Sequence, residues 1–107
     1  GSNVWIWCPK LKLEGVTLKI PVTNEISLNG DTIYESSNKN NEEFVKDILQ
    51  GDKLKQKRIV FAYYKIDTGE LAYVFKGIYI LDEIKTRELQ KRVWIREAKN
   101  FSLSDSL

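Results

Sequence analysis

The sequence predicts an α+β, β-rich domain: a small, strongly curved antiparallel sheet or barrel with one helix at about residues 41–50. Three observations lead there. Six or seven short runs of β-formers fall within about 100 residues, glycine-bearing turn signals separate several of them, and one stretch has helical periodicity. A chain of 107 residues builds one hydrophobic core, so residues 1–107 are read as a single domain.

Val4-Trp5-Ile6-Trp7-Cys8 opens the series and is stopped by Pro9. Apolar throughout, it is expected to be covered on both faces, with one of Trp5 and Trp7 on the core side and the other opposite. Lys10 to Gly15 is a connector. Val16 to Ile20 alternates with the β period until Pro21 ends it or holds it at an edge. Glu25 to Leu28 and Asp31 to Tyr34 read as short strands about a tight Asn29-Gly30 turn of positive φ. Glu35 to Asn41 is polar with nothing to bury, and is expected to be a mobile loop. The helix follows, with Asn41 as cap and Glu42 and Glu43 complementing its dipole. Phe44, Val45, Ile48 and Leu49 make its apolar stripe, and Gly51 sits at the stop.

Arg58 to Ile66 is a strand, Asp67-Thr68-Gly69 a hairpin turn with its glycine left-handed, and Leu71 to Leu81 the long return. Gly77 inside that return marks a bulge or a sharp bend. Asp82 to Gln90 is a charged connection with room for a helical turn. Arg92 to Arg96 closes the set, and Ser102 to Leu107 is a polar tail. The runs at 59–64 and 71–81 do not alternate cleanly, so their strands are expected to be central, with Tyr63, Tyr64, Tyr73 and Tyr79 in the core and the helix over one face.

Composition narrows the function. With 42% hydrophobic and 30% charged residues the chain has the balance of a soluble globular domain. No run of about 18 apolar residues exists, so no membrane-spanning helix is expected. Gly1-Ser2-Asn3 reads as a cloning scar, with no secretory leader. The lone cysteine, Cys8, cannot pair internally, which fits a reducing, cytoplasmic compartment; it is expected to be a small buried hydrophobe. Histidine is absent, which removes His-based triads, His-ligated zinc and imidazole acid–base chemistry. No phosphate-cradling glycine loop and no calcium-type acidic loop occur, and Asp82-Glu83 reads as a turn. No catalytic residue, metal or cofactor is expected, and the domain is read as not an enzyme.

The net charge of +2 hides an asymmetry: residues 1–52 hold five Lys/Arg against eight Asp/Glu, and residues 53–107 hold twelve against seven. Basic residues gather at Lys53, Lys55, Lys57 and Arg58, and again at Arg87, Lys91 and Arg92. Both groups lead into strands, where they suit contacts to phosphate, which position a protein without reading sequence. The aromatic candidates are Trp7, Tyr34 and Trp94, walls on which a flat base could stack.

Tyr73-Val-Phe-Lys-Gly77-Ile-Tyr-Ile-Leu-Asp-Glu83, a charged gap, then Arg92-Val-Trp-Ile-Arg96 resembles the closing strands of small PUA-like barrels, the superfamily of the SRA, EVE, YTH and ASCH domains. Val4-Trp-Ile-Trp-Cys-Pro9 is similar to the aromatic opening strand of EVE and YTH domains. The resemblance covers about half the chain and implies a module that clamps an extruded or single-stranded base between aromatics. Carried over, it makes Trp7, Tyr34 and Trp94 the cage. Val16 to Asn41 has no counterpart in that pattern. The function expected is a non-catalytic nucleic-acid reader, for DNA or RNA and for a plain or modified base. It would be a specificity module of a larger bacterial restriction or defence nuclease, with the 35–41 loop closing over the site. The alternative is a protein-interaction domain docking a partner through a sheet edge or its acidic half.

Overall fold

The longest apolar runs become the middle of one sheet. A computed structural model describes residues 3–13, 23–65 and 68–99. In chain order these form β1 (Val4–Trp7), β2 (Lys12–Leu13), β3 (Glu25–Ile26), β4 (Thr32–Glu35), α1 (Asn41–Ile48), a 3-10 turn (Gly51–Lys55), β5 (Lys57–Lys65), β6 (Leu71–Leu81), α2 (Glu83–Leu89) and β7 (Arg92–Ala98). The sheet runs β1-β5-β6-β7-β4-β3-β2 and is not closed into a barrel. Its inner pairings are antiparallel, and its two outermost ones, β1 with β5 and β2 with β3, are parallel. The fold class read from sequence holds: α+β, β-rich and mostly antiparallel. The segment Val16 to Ile20 and the start of the Asp67-Thr68-Gly69 turn lie outside the described residues, while Gly69 has the left-handed φ of 85° expected of it.

Two irregularities bend the central strands. Val60 pairs with Gly77 and Phe61 with Phe75, so Lys76 is an extra residue in β6. Ile78 pairs with Ala98 and Tyr79 with Arg96, leaving Glu97 extra in β7. Such bulges kink a strand and increase its twist. Gly77 takes φ 133°, and a Cβ there would overlap the Ala98 carbonyl and the Arg96 side chain. Glycine is therefore required at the bend, as its place in the sequence suggested.

Paired residues share a face of the sheet, and on one face Ile33, Val60, Ala62, Tyr79 and Trp94 form the core with Leu11, Ile26 and the α1 residue Ile48. Burying a side chain such as Ile48 contributes roughly 1.5–3 kcal/mol. On the other face Val93 is fully buried, and its N–H donates to Thr86 Oγ1 of α2. α2 realises the helical turn allowed for 82–90, so the described residues hold two α-helices where one was expected. Asp82 caps its start, and Gln90 ends it in the left-handed conformation.

Several expectations are corrected. β1 is not covered on both faces: it is an edge strand with Val4, Trp5 and Ile6 exposed, and Cys8 beyond it is exposed too. Trp5 and Trp7 do not face opposite ways. Two residues apart, they share the face of their partners Arg58 and Val60. Tyr73 is exposed and Tyr63 half-buried, whereas Tyr79 is fully buried and donates its hydroxyl to Gly30 O; the Tyr64 side chain lies outside those described. The helix cap is Asn40, whose side chain accepts from Glu43 N. Asn41 instead accepts from Ser37 N and donates to Gln90 O. Glu35 is no part of a loop: it ends β4, pairs with Arg92 and is buried. Ser36 Oγ donates to Thr23 O, so the segment after it is tied at both ends.

Candidate nucleic-acid interface

Strand pairing alone assembles the site. β1 lies on β5 so that Trp5 stands beside Arg58 and Trp7 beside Val60, while β4 lies on β7 so that Glu35 stands beside Arg92 and Ile33 beside Trp94. All these side chains share the core face. Toward the β1 edge that face is covered only in part, by the end of α1 and the 3-10 turn. A cavity of about 380 Å3 remains there, bounded by Trp5, Trp7, Glu35, Gln56, Arg58 and Arg92 among others. That is within the range of roughly 300–1,000 Å3 typical of ligand pockets.

Its wall is ordered by one guanidinium. The Trp7 and Trp94 rings lie 6.2 Å apart and 51° from parallel, and Arg58 sits in that wedge, 4.6 Å from the Trp7 centroid and 4.1 Å from that of Trp94. Its edge donates to Gln56 Oε1 at 2.9 Å and to Glu35 Oε1 at 3.0 Å. Trp94 Nε1 donates to the same Glu35 oxygen at 3.0 Å. Glu35 Oε2 makes no hydrogen bond among the described residues, and the Glu35 side chain is only 11% exposed. The pocket thus presents an aromatic face, a carboxylate oxygen and an amide side by side.

Arg92 closes the inner end. Its guanidinium lies 3.6 Å over the Phe44 ring, Nε donates to Phe44 O at 2.9 Å, and Asp47 Oδ2 stands 3.7 Å away. Burial lowers the pKa of Arg58 below its ordinary value, with the Glu35 carboxylate opposing the shift. Burial likewise lowers that of Arg92; Glu35 and Asp47 oppose this and Arg58 adds to it. Both stay cationic at neutral pH, since arginine does not deprotonate in proteins. Two buried cations therefore face one buried carboxylate. At the rim, Lys53 Nζ meets Asp47 Oδ1 at 2.7 Å, and this hydrogen bond is the main cause that lowers the Asp47 pKa. A larger cavity of about 560 Å3, lined by Lys39, Glu43, Lys46 and others along α1, adjoins the first across Asp47 and Arg92. Its wall is the Phe44 ring with Arg92 stacked on it, and no tryptophan lines it.

The structure brings Trp7 and Trp94 together, but Trp94 is fully buried and supports the wall from behind. Tyr34, adjacent to Glu35 in its strand, takes the opposite face and lines a separate cavity with Glu25, Leu89 and Lys91. Among the basic residues, Arg58 and Arg92 are internal. Lys57 pairs with Glu97 and Arg87 with Glu83. Lys53 and Lys55 are exposed on the 3-10 turn, Lys53 beside the cavity, and Lys55 makes no ion pair among the described residues. Lys91 is exposed on the Tyr34 side. Sequence reasoning missed Glu35 and Gln56. The one available signal was a carboxylate at the end of a β run two residues after Ile33, which period-two alternation places on the core face.

Among the described residues no helix is long and apolar enough to cross a membrane, and no group of three or more His, Cys, Asp or Glu is placed to hold a metal. The family model of the SET and RING associated (SRA) domain matches residues 1–103. Domains of that family share a PUA-like fold and are non-catalytic modules that bind DNA. No curated protein and no solved structure matches the chain.

Proposed function

The chain belongs to the SET and RING associated domain family, and on that premise we propose that it reads DNA by holding one extruded base in the cavity beside β1. The observation that carries this reading is the wall itself: Trp7 for stacking, with Glu35 and Gln56 lining the same cavity to hydrogen-bond a base edge. An extruded base is read in this way, by stacking on an aromatic and hydrogen bonds to its Watson–Crick edge. The family's link to methylated cytosine makes a modified cytosine the first ligand to test. In this reading Trp94 braces the pocket, and Lys53 and Lys55 contact phosphate at its mouth. Lys57, Arg87, Lys91 and Tyr34 contribute only if the DNA path extends across the sheet. The domain is a specificity module of a larger bacterial restriction or defence nuclease, working in the cytoplasm. A second reading, protein docking, draws support from the exposed apolar edge of Val4, Trp5 and Ile6.

Titration with a short duplex carrying one 5-methylcytosine, the same duplex unmodified, and single strands separates these readings. The modified duplex is expected to bind best. Trp7→Ala should weaken that binding by about 1–3 kcal/mol, the worth of one base stack, with the salt slope unchanged. Lys55→Ala should flatten the slope by roughly 0.9 on every duplex, and Lys53→Ala by less, because Asp47 holds the Lys53 ammonium. Binding to none of the oligonucleotides would favour docking through β1.

A further inference from the structure

We propose that Arg58, one of the basic residues that the sequence suggests for phosphate, is instead a positioning residue that presets the base pocket; this rests on the reading of that cavity given above. Its guanidinium is held inside the protein, against the cavity wall. The side chain is 12% exposed, two of its edge donors are committed to Glu35 and Gln56, and it lies against both the Trp7 and the Trp94 ring. The backbone fixes where it stands, because Arg58 pairs with Trp5 on one side and with Tyr79 on the other.

Only arginine satisfies this environment. A planar guanidinium packs against aromatic rings and, in its own plane, offers a fork of donors to carboxylate and amide. A lysine ammonium is a point charge that cannot stack and donate in a plane together. The consequence falls on the two groups assigned to the base. Trp7 belongs to an edge strand whose neighbouring side chains are exposed, and its ring rests on Arg58 and Trp94. Glu35 has Oε1 fixed twice, by Arg58 and Trp94, which holds its carboxylate in the cavity lining. The stacking surface and the acceptor are therefore in place before a ligand arrives, and binding does not have to order them. Arg92 cannot replace Arg58, since it is tied to the Phe44 ring and carbonyl.

The test is Arg58→Lys beside Trp7→Ala, each titrated against the 5-methylcytosine duplex and the unmodified duplex over a range of salt. Arg58→Lys is expected to lose roughly tenfold or more of the affinity for the modified duplex. It should keep the low-salt affinity for the unmodified one and the wild-type salt slope. An equal loss on both duplexes with a slope about one unit flatter would make Arg58 a phosphate contact and overturn the proposal. Trp7→Ala abolishing the preference while Arg58→Lys retains it overturns the role of Arg58 and leaves the pocket reading standing. A wild type without preference, indifferent to Trp7→Ala, overturns both. If Arg58→Lys does not fold, the arginine side-chain NMR signals of the wild type decide. A ring-shifted Arg58 signal that persists at saturation with the modified duplex supports the clamp, and loss of that ring shift on binding overturns it.

Discussion

Arg58 and Arg96 are buried to the same degree, each with a side chain 12% exposed, yet Arg58 lines the cavity beside β1 and Arg96 does not. Arg96 works at the bent middle of the sheet. Its guanidinium donates to Lys76 O, Asn29 O and Asp31 Oδ1, and its aliphatic stem fills the space over Gly77. Two of these partners are backbone carbonyls, so the guanidinium ties the Asn29-Gly30 turn to the β6 bulge. Arg58 donates to side chains and stacks on side chains. Backbone partners close a structure, whereas an array of side chains beside unfilled space presents chemistry. A buried arginine is thus no sign of a site by itself; its partners decide.

The contrast breaks most sharply at Gly77. Gly77→Ala forces a side chain onto the Ala98 carbonyl at a φ that L-residues rarely adopt. The strain and overpacking together should cost about 3 kcal/mol or more, seen as a large drop in Tm or failure to fold. A melting temperature equal to wild type would mean that the Arg96 end is loosely packed and the comparison misdrawn.

Arg96→Met comes next in size. It keeps much of the stem but leaves the turn and bulge carbonyls without their donor, an expected loss of roughly 1–3 kcal/mol in chemical denaturation. The preference for the modified duplex should survive in the molecules that remain folded. If that preference is lost while the fold is kept, Arg96 acts on the pocket and the division between the two ends fails.

What the sequence disclosed follows the same division. The β5–β6 hairpin, the Gly77 bend, the Asn29-Gly30 turn and α1 were legible because periodicity and glycine act locally. The edge position of β1 was not: whether an apolar strand is covered depends on what packs over it, and five apolar residues look the same either way. Glu35 was hidden for a related reason. Read locally, it begins a polar stretch from 35 to 41. Its burial is decided by Arg58, 23 positions away, and Trp94, 59 positions away. Lys53 and Arg58 looked alike as members of one basic cluster. Strand pairing sends Arg58 inward, while the 3-10 turn leaves Lys53 outside.

The smallest effect separates the two exposed carboxylates that accompany these ends, Asp47 beside the cavity and Asp31 beside Arg96. Asp47 is bound chiefly by Lys53, whose hydrogen bond holds its pKa below the ordinary 3.8. A carboxyl lowered on folding adds stability above its unfolded pKa and loses it as the pH falls through the folded value. Asp47→Asn should therefore lower Tm slightly near neutrality, where the carboxylate contributes, and remove one component of the wild type's decline below about pH 4. Its effect on binding runs the other way. With the carboxylate gone, Lys53 is released toward DNA and Arg92 is less compensated, so both duplexes should bind modestly tighter, with a salt slope steeper by up to about 0.9. Asp31→Asn removes the same charge 2.8 Å from Arg96, but no proposed phosphate contact stands there, and its slope should match wild type. Equal slopes for the two variants would show that the polyanion meets the whole surface evenly, and that the mouth of the cavity has no special claim on it.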